Sequence, residues 1–315
     1  MTRPATGVPL SLSHREALSP LLAARLDGMG ERAPADLTFT NLWLFRRAHD
    51  YHVLDGEWPA IAGRSYDGGS YLLPLFPLAK APIPALRSLL DGHDGFFPVT
   101  ERDAESLDAR HFVISSRRDD ADYLYEADSF RHYRGALLNK KRNLMRQCLA
   151  RHRLRHEAYT PSLLAAALEV LDGWLEDKRL LPASADDLPC REALSLAPQL
   201  GLRGFLTWAD DRPGGFVLAE QLQPGVLVVR FAKGRTTFKG IAQAMFHHLV
   251  TEEQPAVRWL NFEQDLGLPN FRRTKQSYQP NALLPKLRVR LRGRPARSPA
   301  NWRKTPGGGL PTLRA

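Results

Sequence analysis

The chain has 315 residues, of which 43% are hydrophobic, and these values favour a globular protein of about two domains over a disordered one. The formal charge is +10, but residues 286–315 hold nine of the 44 Lys and Arg and none of the 34 acids, which leaves 35 bases against 34 acids elsewhere. Global charge therefore indicates no particular partner. The two cysteines, Cys148 and Cys190, argue against both a disulfide framework and a zinc site, and we expect both thiols to be reduced.

Targeting signals are not evident. We find no secretory signal pattern and no apolar run that approaches the ~18 residues of a membrane span. We therefore expect a soluble, cytoplasmic protein. The tail, residues 291–315, is rich in Pro, Gly and Arg, so we expect it to be disordered, either as a solvated appendage or as a weak arm for anionic lipid or RNA.

The first half of the chain is predicted to be α/β in character. After an N-terminal segment, residues 1–35, large apolar residues at helical spacing through Leu42 and Phe45 predict a helix. Short strands are predicted at 51–54, at 58–62 and in DGGSYLLPLFP, followed by helices near 83–90 and 104–107 and strands at HFVI and DYLYE. We assign these elements to a first domain, residues 36–160.

A long basic helix, FRHYRGALLNKKRNLMRQCLARH, is predicted from Phe130 to the end of this domain. Between Asp128 and Glu157 there are nine Lys and Arg and no acid. Charge of one sign at this density repels itself unless an anion or carboxylates from elsewhere neutralise it. We predict an anion-binding ridge here, with a solvated helix face as the alternative. The ridge comprises Lys140, Lys141, Arg142 and Asn143.

The second domain, residues 161–290, is predicted to begin with two helices and to continue with three strands in an antiparallel meander. A basic loop, KGRTTFKG, then leads into the helix IAQAMFHHLV and the strand VRWLNF. A helix start offers unpaired N–H groups and partial positive charge, and acyltransferases of the GNAT type hold the coenzyme A pyrophosphate on such a loop. The candidate anion ligands are Lys233, Arg235, Lys239 and Gly240, and the alternative is a plain turn before a helix.

Two carboxylates close the last strand in LNFEQDLGLPNFRRTKQSYQP. If the strand continues through Asp265, then Asn261, Glu263 and Asp265 share one face at period two. We predict Glu263 and Asp265 as catalytic carboxylates. The alternative is an ion-pair network in which they only neutralise the bases that follow and pin the strand to the next helix.

The bases after the carboxylates are predicted to lie on a helix that opens at Pro269, since proline suits the first helical turn. Arg272 and Lys275, three residues apart, would then be neighbours that bind terminal phosphates or offset developing negative charge. Tyr278 is predicted to pack, with a possible hydroxyl contact to substrate. His247 and His248 are expected to be ordinary helix residues, and no metal site is predicted.

Three segments together, DYLYEADSFRHYRGALLNKKRNL, FAKGRTTFKGIAQAMFHHLV and LNFEQDLGLPNFRRTKQSYQP, carry a family resemblance. The chain resembles the phosphatidylglycerol lysyltransferase C-terminal-domain family, in which D-Y-L-Y precedes K-[KR]-R-N and N-x-E-x-D-L-G runs into S-Y-x-P. The resemblance covers residues 39–286, although Phe262 stands where relatives often have Arg. It implies an α/β (α+β) fold of two fused GNAT-like domains, each a mixed, mostly antiparallel sheet flanked by helices, related to Fem-type enzymes.

The resemblance also implies aminoacyl-tRNA as the donor and no bound cofactor. Because an aminoacyl ester is already activated, transfer requires positioning, proton removal and oxyanion stabilisation. We assign Glu263 to the donor's α-ammonium and Asp265 to the nucleophile's proton, or the reverse, and tRNA or an anionic headgroup to the basic ridge. The sequence thus predicts an aminoacyl-tRNA-dependent aminoacyltransferase, with a CoA-dependent N-acyltransferase or a non-catalytic double-GNAT binding module as alternatives.

Overall fold

Fourteen strands in the described part of the chain form two sheets of seven strands each. The structure is a computed structural model that describes residues 7–66, 68–181 and 186–294. Strands in the first half are β1 (Val8–Pro9), β2 (His52–Leu54), β3 (Ala60–Arg64), β4 (Ser70–Pro74), β5 (Gly95–Val99), β6 (Phe112–Ser116) and β7 (Asp122–Glu126). Helices there are α1 (Arg15–Leu26), α2 (Phe39–His49), α3 (Ile83–Leu89) and α4 (Glu101–Glu105).

The second half contains the remaining elements. Its strands are β8 (Leu154–Ala158), β9 (Arg203–Ala209), β10 (Arg212–Gln223), β11 (Val226–Gly234), β12 (Trp259–Asn261), β13 (Ala282–Leu284) and β14 (Leu287–Leu291). Its helices are α5 (Ala127–His132), α6 (Asn139–Arg151), α7 (Leu164–Asp177), α8 (Asp187–Ser195), α9 (Ala197–Leu200), α10 (Ile241–His248) and α11 (Pro269–Gln276). A π-helical turn, Leu249–Glu253, extends α10. Short 3-10 helices lie at Leu12–His14, Gly30–Arg32, Leu78–Lys80, Arg118–Asp120 and Pro161–Leu163.

The strand order is the same in the two sheets once the chain is divided into two repeats, β1–β7 and β8–β14. The first sheet runs β1-β2-β3-β4-β5-β14-β6, and the second runs β8-β9-β10-β11-β12-β7-β13. Each contains one parallel pair, β4 with β5 and β11 with β12, because a helix crosses over between those strands. The last strand of each repeat therefore pairs within the sheet of the other repeat.

Two compact units contain these sheets. The first unit consists of residues 7–28, 36–121 and 285–294, and its core packs around Leu72, Phe96 and Phe112. The second unit consists of Met29–Ala35 and Asp122–Leu284, with a core that includes Tyr123 and Phe205. The predicted α/β (α+β) class, with mixed and mostly antiparallel sheets flanked by helices, is confirmed.

The predicted basic helix is interrupted, and in this respect the prediction was wrong. Helix α5 ends at His132, Tyr133 adopts φ 46° and Gly135 adopts φ 83°, and α6 begins only at Asn139. Left-handed residues cannot continue a right-handed helix, so the segment turns before the basic ridge begins. By contrast, the predicted meander is confirmed as β9, β10 and β11, joined antiparallel.

Several other predictions concern termini, cysteines and membranes. Cys148 and Cys190 are free thiols, and both are buried in the core. None of the helices within residues 7–294, gaps excepted, is both long and apolar enough to cross a bilayer. The same described ranges contain no group of three or more His, Cys, Asp or Glu suited to a metal ion. The tail predicted to be disordered, residues 291–315, lies outside the described residues from residue 295 onward.

Candidate active site

The loop after β12, residues 262–267, departs from the extended conformation predicted for it. Strand β12 ends at Asn261, and Glu263, Leu266 and Gly267 have φ of 55°, 55° and 73°. The Asn261 side-chain oxygen accepts the Glu263 backbone N–H at 2.7 Å, which turns the chain away from the strand. The expectation that Asn261, Glu263 and Asp265 share one strand face is therefore wrong. Each carboxylate has its own surroundings.

Strand β7 connects this loop to a motif far away in the sequence. It pairs antiparallel with β12, so that Leu124 lies opposite Asn261. Asn261 donates its side-chain N–H to Asp122 Oδ2 at 3.0 Å, and the same oxygen accepts the Ala35 N–H at 2.9 Å. Asn261 and Asp122 are both fully buried. The exchanged strand thus brings the DYLYE segment beside the LNFEQD segment.

Lys275 holds the loop in its left-handed conformation. Its ammonium donates to the carbonyl oxygens of Phe262 at 2.6 Å and Glu263 at 3.2 Å, and also to that of Gln264. A left-handed φ is costly outside glycine and persists where surrounding contacts enforce it. Because its three donors are engaged by the backbone, Lys275 acts as a support for the segment that presents Glu263.

Glu263 belongs to a buried group of two carboxylates and one guanidinium. It forms an ion pair with Arg230, which also donates to Glu220 Oε2 at 3.0 and 2.7 Å and to the Ala35 carbonyl oxygen at 2.9 Å. The side chain of Arg230 is 1% exposed, and that of Glu263 is 19% exposed. One guanidinium thus contacts two carboxylates, and the charge of Lys275 also acts on Glu263. Burial raises the pKa of Glu263 above its usual range, against the opposing charges of Arg230 and Lys275.

Asp265 has the opposite environment. Its carboxylate is fully buried and accepts hydrogen bonds from Arg272 Nε at 2.8 Å, Arg272 Nη2 at 3.0 Å, the Tyr123 hydroxyl at 2.6 Å and the Gly267 N–H at 2.9 Å. Burial alone would raise the pKa of Asp265, but these donors outweigh it and hold that pKa well below its usual range. Both oxygens are engaged, so the geometry favours a structural role for Asp265 over the proton-accepting role predicted for it.

The helix that supplies these bases begins where the sequence indicated. Helix α11 has Pro269 at its first turn and carries Arg272 and Lys275 three residues apart, which confirms their predicted positions. Their contacts, however, run to Asp265 and to the loop backbone. The alternative prediction, an ion-pair network with the bases that follow, therefore describes Asp265 and Arg272. Glu263 instead forms its ion pair with Arg230.

The basic ridge divides into residues that line a pocket and residues that pack inward. A pocket of about 520 Å³ brings Lys140 and Asn143 of α6 next to Lys239, which precedes α10. Arg142 instead donates to the Tyr133 carbonyl oxygen at 2.9 Å and to Asn139 Oδ1 at 2.8 Å. The structure thus joins the predicted ridge to one residue of the predicted loop.

Lys141 lies on the aromatic core rather than in that pocket. Its ammonium is 3.8 Å from the ring centroid of Tyr278, and burial, followed by the charge of Lys140, lowers the pKa of Lys141 to about 8. Tyr278 is buried, as its predicted packing role requires, and its hydroxyl accepts the Gln243 side-chain N–H at 2.6 Å. Phe262 packs near the same ring, at 6.5 Å between centroids. Tyr278 therefore contacts both α6 and the Glu263 loop.

The remaining loop candidates are already neutralised by acids. Lys233 contacts Asp186 at 2.7 and 2.9 Å, and Arg235 contacts Asp177 at 3.0 Å. Asp177 also accepts the Thr236 N–H at 2.8 Å. Lys233, Arg235 and the Thr236 N–H are thus occupied from within the second unit.

Close packing explains why position 240 is a glycine. It adopts φ 95°, and a Cβ there would lie 2.0 Å from the Leu144 carbonyl oxygen. Only glycine lets α10 start this close to the backbone of α6. The close approach is what brings Lys239 to the pocket on α6.

Residue-by-residue reasoning missed Arg230 and Glu220, which share the buried ion-pair group with Glu263. A signal existed, since Arg230 interrupts the apolar run VLVVRF, and a charged residue in a buried strand requires partners. Asp122 and Tyr123 lie within the DYLYE segment, but the sequence alone does not indicate them as site residues. Their role depends on the pairing of β7 with β12, which local sequence patterns do not encode.

Comparisons with known proteins identify the family and the fold. The sequence profile of the family described as phosphatidylglycerol lysyltransferase, C-terminal, matches residues 29–290. A search of curated proteins found no significant match. Among solved structures, a conserved protein of unknown function from Bacteroides thetaiotaomicron VPI-5482 is similar at TM-score 0.75 and 19% identity, covering 91% of this chain and 99% of that chain.

Two further solved structures are similar in fold. L-PGS from Bacillus licheniformis aligns at TM-score 0.59 and 14% identity over 92% of this chain and 95% of that chain. FemX aligns at TM-score 0.54 and 9% identity over 89% and 94%. At these identities the likeness shows the fold, and it confirms the predicted pair of GNAT-like sheets related to the Fem-type fold.

Proposed function

Because the chain belongs to the phosphatidylglycerol lysyltransferase C-terminal family, a family of transferases, we propose that it is an aminoacyltransferase. The family match also confirms the resemblance seen in the three sequence motifs. The proposed donor is aminoacyl-tRNA, and the proposed acceptor is an amine or hydroxyl group of a lipid, a peptide or a small molecule. The observation that carries this proposal is the buried group in which the Arg230 guanidinium contacts two carboxylates, Glu220 and the partly exposed Glu263.

The chemistry needs a base and a site for the donor's α-ammonium. A carboxylate with a raised pKa, held in the loop after β12 and still 19% exposed, suits proton transfer. We therefore assign proton acceptance to Glu263, since the oxygens of Asp265 are engaged. The carboxylates of Glu220 and Glu263 would attract the α-ammonium.

The reaction balances without a cofactor. The acceptor nucleophile attacks the ester carbonyl carbon of the aminoacyl-tRNA, and its proton passes to Glu263. The bond from the carbonyl carbon to the ribose oxygen then breaks, and the ribose hydroxyl leaves with a proton returned from Glu263. Because the ester is already activated, the protein needs to supply only positioning and proton transfer.

The first part of the loop before α10 disfavours acyl-CoA as the donor. A pyrophosphate on this loop would need free basic side chains and N–H groups. Lys233 and Arg235 form ion pairs with Asp186 and Asp177, and the Thr236 N–H is also bonded to Asp177. A CoA pyrophosphate would have to displace both carboxylates.

The test is transfer of a labelled amino acid from tRNA charged with a mixture of amino acids to a pool of lipid and small-amine acceptors. Glu263→Gln should lower turnover by roughly 10²–10⁴-fold, the usual share of a general base. Its melting temperature should stay near that of the native chain, because Arg230 keeps its contacts to Glu220 and Ala35. Glu252→Gln, which removes an exposed carboxylate, is the matched control.

Two outcomes would overturn the proposal. Heat of acetyl-CoA binding in titration calorimetry, together with acyl transfer from acetyl-CoA and none from charged tRNA, would favour the CoA-dependent alternative. If the native chain and Glu263→Gln both bind charged tRNA equally well and neither forms product with any acceptor, a non-catalytic binding module would be favoured.

A further inference from the structure

The pocket on α6 collects donor groups from two distant parts of the chain. Its polar lining consists of Asn139, Lys140, Asn143, Gln147 and Lys239. The α6 residues occur at spacings of one, four and eight along the helix, so they follow one helical face. Lys239 joins them because Gly240 permits the close approach of α10 to α6.

Among the described residues, no acid forms an ion pair with the two lysines of this pocket. Its lining includes no carboxylate. Within the described residues, no carboxylate oxygen lies within 4.0 Å of the Lys140 or Lys239 ammonium. Lys233 and Arg235, a few residues before Lys239, both form ion pairs. The contrast separates bases that stabilise the fold from bases available to a ligand.

The amides add hydrogen-bond donors to the two ammonium groups. Asn139 Oδ1 accepts from Arg142 Nη2 at 2.8 Å, which leaves the amide NH₂ as the group that Asn139 can offer. Asn143 and Gln147 can each turn an NH₂ inward as well. A ligand rich in acceptor oxygens and carrying negative charge, such as a phosphate, matches this set.

We propose that this pocket binds a backbone phosphate of the tRNA, a contact that rests on the proposed function and extends it to a specific subsite. A volume of about 520 Å³ is the size of a site for a whole ligand, so it accommodates a sugar–phosphate unit of a longer chain. None of the lining side chains is aromatic, so bases have no surface on which to stack. The subsite therefore reads the backbone and not the sequence.

The experiment measures tRNA binding to the full chain over a range of salt concentrations, for the native protein and for Lys140→Ala with Lys239→Ala. Each lysine removed should weaken tRNA binding by about tenfold or more, because charged hydrogen bonds to the phosphate are lost. The slope of log affinity against log salt should fall by about 1 per lysine. Lys80→Ala with Lys178→Ala removes the same charge from exposed positions outside the pocket and should leave the slope nearly unchanged.

Sequence independence supplies a second readout. The loss should be equal for acylated and deacylated tRNA and for tRNAs of different sequence, because phosphate contacts carry no sequence information. A loss confined to one tRNA, or a slope that stays at the native value, would overturn the subsite. The melting temperature of each variant shows that the fold is retained.

The outcomes distinguish the subsite from the function. If the native chain does not bind tRNA, the proposed function fails and the subsite fails with it. If the native chain binds tRNA and the double variant binds equally well, only the subsite fails. Binding to phosphatidylglycerol vesicles that is lost in the double variant, with tRNA binding intact, would assign the pocket to a lipid headgroup and overturn the nucleic-acid proposal.

Discussion

Replacing Asp265 by alanine should destabilise the second unit by about 3 kcal/mol. Removing one partner of a buried ion pair costs about 3–5 kcal/mol, because the other charge is left uncompensated. The Arg272 side chain is 33% exposed, so water compensates part of that charge and lowers the figure. The buried Tyr123 hydroxyl also loses its acceptor, which by itself costs about 1–3 kcal/mol. These losses overlap, so they do not add in full.

Urea unfolding followed by tryptophan fluorescence measures this change. A double-mutant cycle with Arg272→Ala isolates the pairwise energy, and we expect the two substitutions to be strongly non-additive because they remove the same contact. Glu263→Gln is the comparison that matters, since it should reduce turnover with a much smaller effect on stability. If Asp265→Ala unfolds like the native chain and yet abolishes transfer, Asp265 acts on the substrate and the structural assignment is refuted.

The same reasoning fixes a pH dependence. The folded state holds the pKa of Asp265 well below its value of about 3.9 in the unfolded chain. For a carboxyl group with a depressed pKa, the stabilising contribution is complete above the unfolded value and is lost as the pH falls below it. Asp265→Ala should therefore be less sensitive than the native chain to acidification below about pH 4.

Two further predictions concern packing near the site. Gly240→Ala should destabilise the protein by roughly 1–3 kcal/mol in urea unfolding, because its Cβ would meet the Leu144 carbonyl oxygen and its φ is 95°. Gly135→Ala, at φ 83° with open space around it, should destabilise the protein less. Equal losses of stability would mean that backbone strain alone explains the effect at Gly240. His156 stacks on His248 at 3.8 Å, and burial together with that neighbour lowers the pKa of His156 to about 4. Since the unfolded value is near 6.5, stability should fall as the pH drops from about 6.5 to 4, and His156→Gln should flatten that part of the profile.

Local patterns predicted the elements of the second unit well. The meander β9–β11, the helix start at Pro269 and the packing of Tyr278 follow from turn residues, proline position and apolar spacing, which act over a few residues. The break before α6 was missed, although Gly135 offered a local signal in the sequence.

Long-range pairing is what the sequence did not reveal. Strands β7 and β14 each pair in the sheet of the other repeat, and no periodicity within either strand records that choice. The same holds for charge balance, since Lys233 meets Asp186 and Arg235 meets Asp177 across 47 and 58 residues. A basic loop and a loop neutralised by distant acids look alike when only neighbouring residues are compared.

The two carboxylates of the LNFEQD segment show why their roles could not be divided beforehand. They are two residues apart and of the same chemical type, yet their pKa values shift in opposite directions. Asp265 accepts hydrogen bonds from Arg272, Tyr123 and Gly267, whereas Glu263 pairs with a guanidinium that also contacts Glu220. Environments that separate two carboxylates in this way divide them into one that can exchange a proton and one that stays ionised. The division follows from burial, which raises the pKa of Glu263 against the charge of Arg230, and from the donors around Asp265, which lower its pKa. These surroundings come from distant parts of the chain, so the division becomes visible only once the second sheet has formed.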